Sequence, residues 1–305
     1  MTGTTGPQCT MAIVVIRLAA IALLLRAQGA CAATETAEPF RILASFHPVL
    51  ITTLNVARGV PGVEVASLTP PDTGCMHDRQ LAPADLVALG RASVLIVNGA
   101  GIESFLAGAT NRVVSRAVID ASAGVALITN AGSVNPHVWL SVTNVMLQTD
   151  AIARGLARLD PAHAAQYEAN AARYRGELAT LQAHVAACAS RLKARPVVTQ
   201  HDAFPYLARD LGLTIAGVIQ TEPGMDVSAG QITSLVRSMR TKGVSVVFAE
   251  PQYSCRTAAL VAREAGATVH MLDSCVTGPA TTNSYLAAME ANVAVVERAL
   301  GGGTP

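Results

Sequence analysis

The stretch RILASFHPVLITTLNVARGVPGVEVASL, residues 41–68, reads as strand, helix, strand. Arg41–Phe46 and Val63–Leu68 are short apolar runs of strand character. Val49–Arg58 between them is helical in pattern. Two such strands joined by a crossover helix run parallel, because a tight hairpin cannot return the chain in the same direction.

The same rhythm extends outward. Val94–Asn98 and Ala117–Ile119 continue the strands, with helical stretches at Pro83–Gly90 and Ile102–Ala109. The second half repeats the plan. Its strands are Pro196–Thr199, Leu213–Ile219, Val244–Phe248 and Thr268–Leu272, and its helices begin near Asp202, Ser228, Ser254 and Thr282. The halves share this order but no repeated sequence. The expectation is an α/β protein with an N-terminal lobe over 38–141 and a C-terminal lobe over 195–300, each a small parallel sheet flanked by helices.

Residues 142–192 carry no strand signal. Asp160-Pro161 reads as a helix start, with Asp as the cap and Pro in the first turn, where its missing N–H costs little. From Pro161 to Leu192 the chain is Ala-rich, with Tyr167, Tyr174, Leu178 and Leu181 at helical spacing. A helix of that length runs about 45 Å at roughly 1.5 Å per residue. It would join both lobes rigidly, so little hinge motion is expected.

The chain has 305 residues, 51% of them apolar and 14% charged, too apolar for a disordered protein. A net charge of +1 leaves no electrostatic footprint for nucleic acid. Met11–Leu25 is an apolar run broken by Arg17, followed by Ala30-Cys31-Ala32-Ala33. It reads as a secretory signal peptide over 1–33, too short to span a membrane. A lipid anchor at Cys31 is the lesser alternative, since Gln28 stands where such sites carry an aliphatic residue. Export puts the cysteines in an oxidising compartment. Cys9 and Cys31 leave with the signal, and Cys75, Cys188, Cys255 and Cys275 remain. Cys255 starts a helix after one strand and Cys275 follows the next, so a Cys255–Cys275 disulfide is expected. There is no Cys-x-x-Cys, so neither a zinc knuckle nor a thioredoxin-like site is supported.

In open α/β sheets, ligands bind beyond the carboxyl ends of the strands. His77 follows the strand at 63–68, His137 follows the strand at 117–119, and His201 comes two residues after the strand at 196–199. Glu250 and Asp273 follow the strands at 244–248 and 268–272. All five therefore fall on the binding edge of their own sheet. Three imidazoles and a carboxylate suit a divalent transition metal, and four such donors suit tetrahedral zinc. His47 also lies at this edge, but beside Pro48 it reads as a helix-start residue. His163 and His184 fall on the connector helix as solvated residues, and His270 inside a strand as a packed one. Trp139 and Phe204, beside candidate ligands, would wall the site from water.

Four stretches sharpen this reading: His77-Asp78-Arg79-Gln80-Leu81-Ala82-Pro83-Ala84-Asp85 leading to Asn98-Gly99-Ala100-Gly101-Ile102-Glu103; Asn135-Pro136-His137-Val138-Trp139-Leu140; Gln200-His201-Asp202-Ala203-Phe204-Pro205-Tyr206-Leu207; and Phe248-Ala249-Glu250-Pro251-Gln252 with Leu272-Asp273-Ser274. In their order and spacing the chain resembles the solute-binding proteins of zinc and manganese ABC importers, over essentially residues 40–300. The resemblance implies two α/β lobes joined by a long helix, with metal held between them. It implies His77, His137, His201 and Asp273 as ligands and Glu250 as the residue that orients a ligating imidazole. Two departures stand out. The first His of the family is usually framed by a Pro before it and by aromatic and acidic residues after it, whereas here the frame is Cys75-Met76-His77-Asp78-Arg79. The segment 120–135 lacks the His- and acid-rich loop of many zinc-binding members.

The expected function is capture of zinc, with manganese second, in the periplasm and delivery to an ABC permease, by a monomer that performs no catalysis. An exported zinc hydrolase is the rival, though the chain lacks His-Glu-x-x-His. A metal-stabilised surface adhesin is the third reading.

Overall fold

The structure, a computed structural model, describes residues 1–3, 38–70, 73, 76, 79–106, 117–130, 132–192, 194–220 and 226–301. The expected signal peptide, His77 and Cys75 therefore lie outside the described residues. Every element below belongs to one compact unit, Pro39–Pro305.

The opening stretch folds as its pattern predicts. β1 (Phe40–Ala44), α1 (His47–Val56) and β2 (Val63–Ser67) form a βαβ unit, with Ile42 opposite Val65 in parallel register. α2 (Pro83–Arg91), β3 (Val94–Val97) and β4 (Ala117–Asp120) complete a four-stranded sheet of order β2-β1-β3-β4. The expected helix at Ile102–Ala109 is reduced, in its described part, to one 3-10 turn at Ser104–Leu106. A two-residue antiparallel pair, β5 (Thr129–Asn130) with β6 (Ser133–Val134), was not foreseen. Strands this short carry no periodicity to read.

The second lobe repeats the architecture. β7 (Pro196–His201), α5 (Pro205–Asp210), β8 (Thr214–Gln220), α6 (Ala229–Lys242), β9 (Val246–Ala249), α7 (Arg256–Ala265), β10 (Thr268–Met271) and α8 (Ser284–Leu300) build a parallel sheet of order β10-β9-β7-β8. α6 starts on a capping box between Ser228 and Gln231 and stops at Gly243, whose φ of 65° is left-handed. β7 runs two residues further than its apolar run suggests and takes in His201, which pairs with Gln220.

The connector is two helices, α3 (Val142–Leu159) and α4 (Ala164–Leu192), packed against each other. Asp160 does not cap by its side chain. Its carboxylate instead accepts from Tyr167 Oη at 2.8 Å and pairs with His163 Nδ1 at 2.8 Å, and a 3-10 turn at Pro161–His163 leads into α4. α4 buries Tyr167, Ala171, Tyr174, Leu178, Leu181, Val185, Cys188 and Leu192. These recur at alternating steps of four and three, the spacing that keeps one narrow stripe facing its partners. The stripe packs on α1 of the first lobe, on the other connector helix α3, and on α5 and α8 of the second lobe. One continuous apolar cluster results, running from Ile42 and Phe46 through Trp139 and Tyr174 to Phe248 and Val296. Among the described residues no helix is long and apolar enough to cross a membrane.

The expected Cys255–Cys275 disulfide is absent: both thiols are free. Cys255 is exposed ahead of α7, whereas Cys275 is buried with its Sγ 3.7 Å from the Asp273 carbonyl. Proximity of two strand ends does not make two thiols face one another.

Candidate metal centre

Parallel pairing brings the carboxyl ends of β7 and β9 side by side, with Thr199 opposite Phe248. Continued by two residues, this register sets His201 beside Glu250. His201 Nδ1 lies 3.2 Å from Glu250 Oε1, and the two residues are 2% and 1% exposed. The other carboxylate oxygen accepts from Gln252 Nε2 at 2.8 Å, and that same amide donates to Ser274 Oγ at 2.7 Å. A carboxylate only accepts, so it places the imidazole proton on Nδ1 and leaves the lone pair of the neutral ring on Nε2.

His137 reaches the same tautomer by a different route. It stands just before the 3-10 turn Val138–Leu140, which feeds through Ser141 into α3. Its Nδ1 lies 3.1 Å from Asn135 Oδ1, which also accepts the His137 backbone N–H at 3.1 Å. The amide oxygen again fixes the proton on Nδ1.

The segment carrying His137 is held from the opposite lobe on both flanks. On one side Asn135 Nδ2 donates to the Asp202 carbonyl at 2.7 Å, and Tyr206 Oη donates to the Asn135 carbonyl at 2.9 Å. On the other side Trp139 Nε1 donates to the Ser274 carbonyl at 2.8 Å, and Tyr285 Oη donates to the Trp139 carbonyl at 2.8 Å. His137 and His201 consequently face each other across the lobe boundary, ring centroids 5.0 Å apart at 83°. Trp139, 5.2 Å from the His137 ring, and Phe204 are both almost fully buried, as walls of the site would be.

A polar frame on the N-terminal side supports the loop. Asn98 Nδ2 donates to the Pro136 carbonyl at 3.0 Å. Glu103 accepts the backbone N–H groups of Asn98 at 2.6 Å and Gly99 at 3.1 Å, and the Ser45 hydroxyl at 2.8 Å. Burial pushes the Glu103 carboxyl up to about 7, against the lowering effect of these three donors. Gly99 has a φ of 78°, and a Cβ there would fall 2.0 Å from Asp120 Oδ1, so only glycine fits.

Asp273 lies two residues beyond β10. Its backbone is clamped by Asn292, whose Oδ1 accepts the Asp273 N–H at 2.8 Å and whose Nδ2 donates to the Asp273 carbonyl at 2.7 Å. Asp273 Oδ1 accepts the Cys275 N–H at 2.7 Å. Burial raises the Asp273 carboxyl above its ordinary value; the Cys275 N–H and His47 oppose the shift, and Glu250 adds to it.

The structure thus brings together His137, His201 and Glu250, and sets Asp273 on the same sheet edge. Among the described residues no three His, Cys, Asp or Glu side chains converge closely enough to hold a metal ion. His163 and His184 pair with Asp160 and Glu290 on the connector's surface, and His270 Nε2 lies 3.1 Å from Thr268 Oγ1. Sequence reasoning passed over Asn135 and Gln252. Each lies two positions from a named residue, in Asn135-Pro136-His137 and Glu250-Pro251-Gln252, and that short reach was their only signal.

The family described as zinc-uptake complex component A, periplasmic, matches residues 42–299. The iron-binding protein YfeA of Yersinia pestis is 30% identical over 241 residues, 77% of this chain and 76% of that protein. The solute-binding protein FpvC of Pseudomonas aeruginosa, solved with Ni2+, superimposes with a TM-score of 0.79 at 28% identity, covering 88% of this chain and 99% of that one. A zinc-bound ZnuA deletion mutant superimposes with a TM-score of 0.75 at 28% identity, covering 88% of this chain and 100% of that one. Each of these relatives is described by a metal it binds: iron, nickel and zinc.

Proposed function

The chain belongs to the family of periplasmic zinc-uptake component A proteins, and on that premise we propose that it captures a divalent transition metal between its lobes and hands it to an ABC permease. The metal is cargo. His77, His137, His201 and Asp273 are the proposed donors, and Glu250 holds the His201 ring in its binding tautomer. One observation carries this reading: two buried imidazoles from different lobes face each other, each with Nδ1 tied to an oxygen acceptor. A ligating histidine donates its other ring N–H in just this way.

Zinc is proposed ahead of manganese. FpvC has been solved with both Ni2+ and Mn2+, and ZnuA with zinc, so the fold admits several ions. In this chain a third imidazole, at His201, favours the softer members of that series over manganese. The protein acts as a monomer after removal of residues 1–33, with lobes at 38–141 and 195–300 on either side of a connector at 142–192.

Zinc titration by calorimetry tests the assignment. Trp139 is the single tryptophan and lies against the His137 ring, so its fluorescence supplies an independent readout. His137→Ala and His201→Ala should each weaken binding strongly; wild-type affinity in either variant overturns the site. Zinc uptake by vesicles carrying the cognate permease, with and without the protein, tests delivery.

A further inference from the structure

We propose that Glu103 is a positioning residue for metal capture, acting on the His137 ring through Asn98; this rests on the metal-capture reading above. Glu103 closes the stretch Asn98-Gly99-Ala100-Gly101-Ile102-Glu103, which supplies no proposed donor. Gly99, Ala100 and Gly101 have left-handed φ values of 78°, 54° and 88°. Ala100 adopts this conformation without the freedom of glycine, so the turn is strained. The Glu103 carboxylate holds it. Oε1 accepts the Asn98 N–H at 2.6 Å and the Ser45 hydroxyl at 2.8 Å, and Oε2 accepts the Gly99 N–H at 3.1 Å. Ser45 follows β1 and Asn98 follows β3, which are neighbours in the first sheet. One buried carboxylate therefore ties two adjacent strand ends at the binding edge.

The hold passes on through the Asn98 side chain, which is fully buried. Its Oδ1 accepts from Gln148 Nε2 of α3 at 3.1 Å. Its Nδ2 donates to the Gly99 and Pro136 carbonyls, each at 3.0 Å. The Pro136 carbonyl and the His137 N–H belong to one planar peptide unit. Asn135 Oδ1 accepts that N–H at 3.1 Å. The plane is thus gripped at both ends, by Asn98 of the first lobe and by Asn135, itself bonded to Asp202 of the second. The tilt of the plane aims the His137 side chain, whose ring stands opposite that of His201. Glu103 fixes the Asn98 backbone, Asn98 fixes the plane, and the plane aims the imidazole. Burial disfavours the ionised carboxyl, so this placement works against stability. Such local conflicts are expected where function requires them.

The experiment is a double-mutant cycle on the full chain. It is read as zinc affinity at pH 8, in competition with a chelator of known affinity, with folding checked by circular dichroism. Burial raises the Glu103 carboxyl to about 7, so at pH 8 it is ionised. In Glu103→Gln an amide N–H2 replaces one acceptor oxygen, and one backbone N–H then faces another donor. Asn98→Ala keeps the backbone N–H that Glu103 holds and removes the side chain that reaches Pro136. Each single variant should weaken zinc binding by about three- to thirtyfold. Added to Asn98→Ala, Glu103→Gln should change affinity by less than about twofold, because its route to His137 is already cut. A carboxylate that served stability alone would have the same effect in either background. Wild-type affinity in Glu103→Gln, or losses that multiply in the double variant, overturns the proposal. Nitrogen-15 NMR of the metal-free proteins needs neither zinc nor the Asn98 variant. The His137 ring signals must shift in Glu103→Gln while those of His184 on the connector stay in place, and an unmoved His137 is equally fatal. If wild-type protein takes up no zinc, the capture reading falls, and the ring shift still decides the link from Glu103 to His137. If His137→Ala loses zinc while Glu103→Gln binds as wild type does, only the role of Glu103 falls.

Discussion

Trp139 in the N-terminal lobe donates its indole N–H to the backbone carbonyl of Ser274 in the C-terminal lobe, at 2.8 Å. Two residues before Trp139 stands His137, and Asp273 is the immediate neighbour of Ser274. The bond therefore fixes the distance between two proposed donors that no single element carries. Its neighbours reinforce it: Tyr285 donates to the Trp139 carbonyl, and the Trp139 ring packs edge-on to Phe46, centroids 5.0 Å apart.

Trp139→Phe should keep most of the packing and lose only the N–H. The Ser274 carbonyl is then left without its donor, at a cost of about 1–3 kcal/mol. Urea unfolding followed by circular dichroism reads this directly. Zinc affinity should fall in the same variant, because the lobes are less firmly registered; unchanged stability and affinity would show the bond to be incidental.

Glu250→Gln should weaken zinc binding by about 10- to 100-fold without unfolding the protein. The amide is nearly isosteric but no longer offers carboxylate charge to the His201 Nδ1–H, and it adds an N–H where acceptors are needed. Competition titration against a chelator of known affinity measures the loss. Wild-type affinity would mean that Glu250 serves packing alone.

Metal affinity should decline as the solution is acidified. Asp273 must be ionised to bind, and its raised pKa means that protons compete from a higher pH than for an ordinary exposed carboxylate. The imidazoles titrate as well, so the discriminating measurement is a comparison. Zinc Kd between pH 5.5 and 7.5 should depend less steeply on pH in Asp273→Asn than in wild type, around a weaker absolute affinity. Parallel profiles would remove Asp273 from the donor set.

Glu103 should make the apo protein more stable in mild acid. Its carboxyl is raised from 4.5 to about 7 in the folded state, so between these values the folded chain binds more protons than the unfolded one. By linkage this contribution is fully present below about pH 4.5 and is lost as pH rises through about 7. The shift corresponds to at most about 3 kcal/mol, less any screening by water at the partly covered side chain. Urea unfolding at pH 5 and pH 8 should show wild type losing stability relative to Glu103→Gln on the alkaline side. Identical pH dependence in the two proteins would contradict this.

Much of the fold was legible in local pattern. Residues 41–68 announce a βαβ unit, and the same alternation in the second half yields another parallel sheet. Parallel pairing then forces every strand's carboxyl end to one edge, so the placement of His201, Glu250 and Asp273 at that edge follows from parallel pairing alone. Element ends were less readable. Apolar character stops at Thr199, yet β7 continues through His201 because a polar residue can complete a ladder when its neighbour strand supplies the partner, here Gln220.

What sequence alone determined was therefore a set of edges: two sheets, the residues at their binding ends, and the family to which their local motifs are similar. Which of those residues meet was decided by tertiary structure. Cys255 and Cys275 follow neighbouring strands yet face different surroundings, because a side chain's direction depends on the loop that carries it. His47 looks like any helix-opening residue until the lobes pack and Cys275 of the other lobe takes its Nδ1. Asn135 and Trp139 acquire their roles only through Asp202 and Ser274, more than sixty residues away. Strand and helix periodicities report burial one face at a time. A contact between lobes depends on how two such faces dock, and no local pattern carries that information.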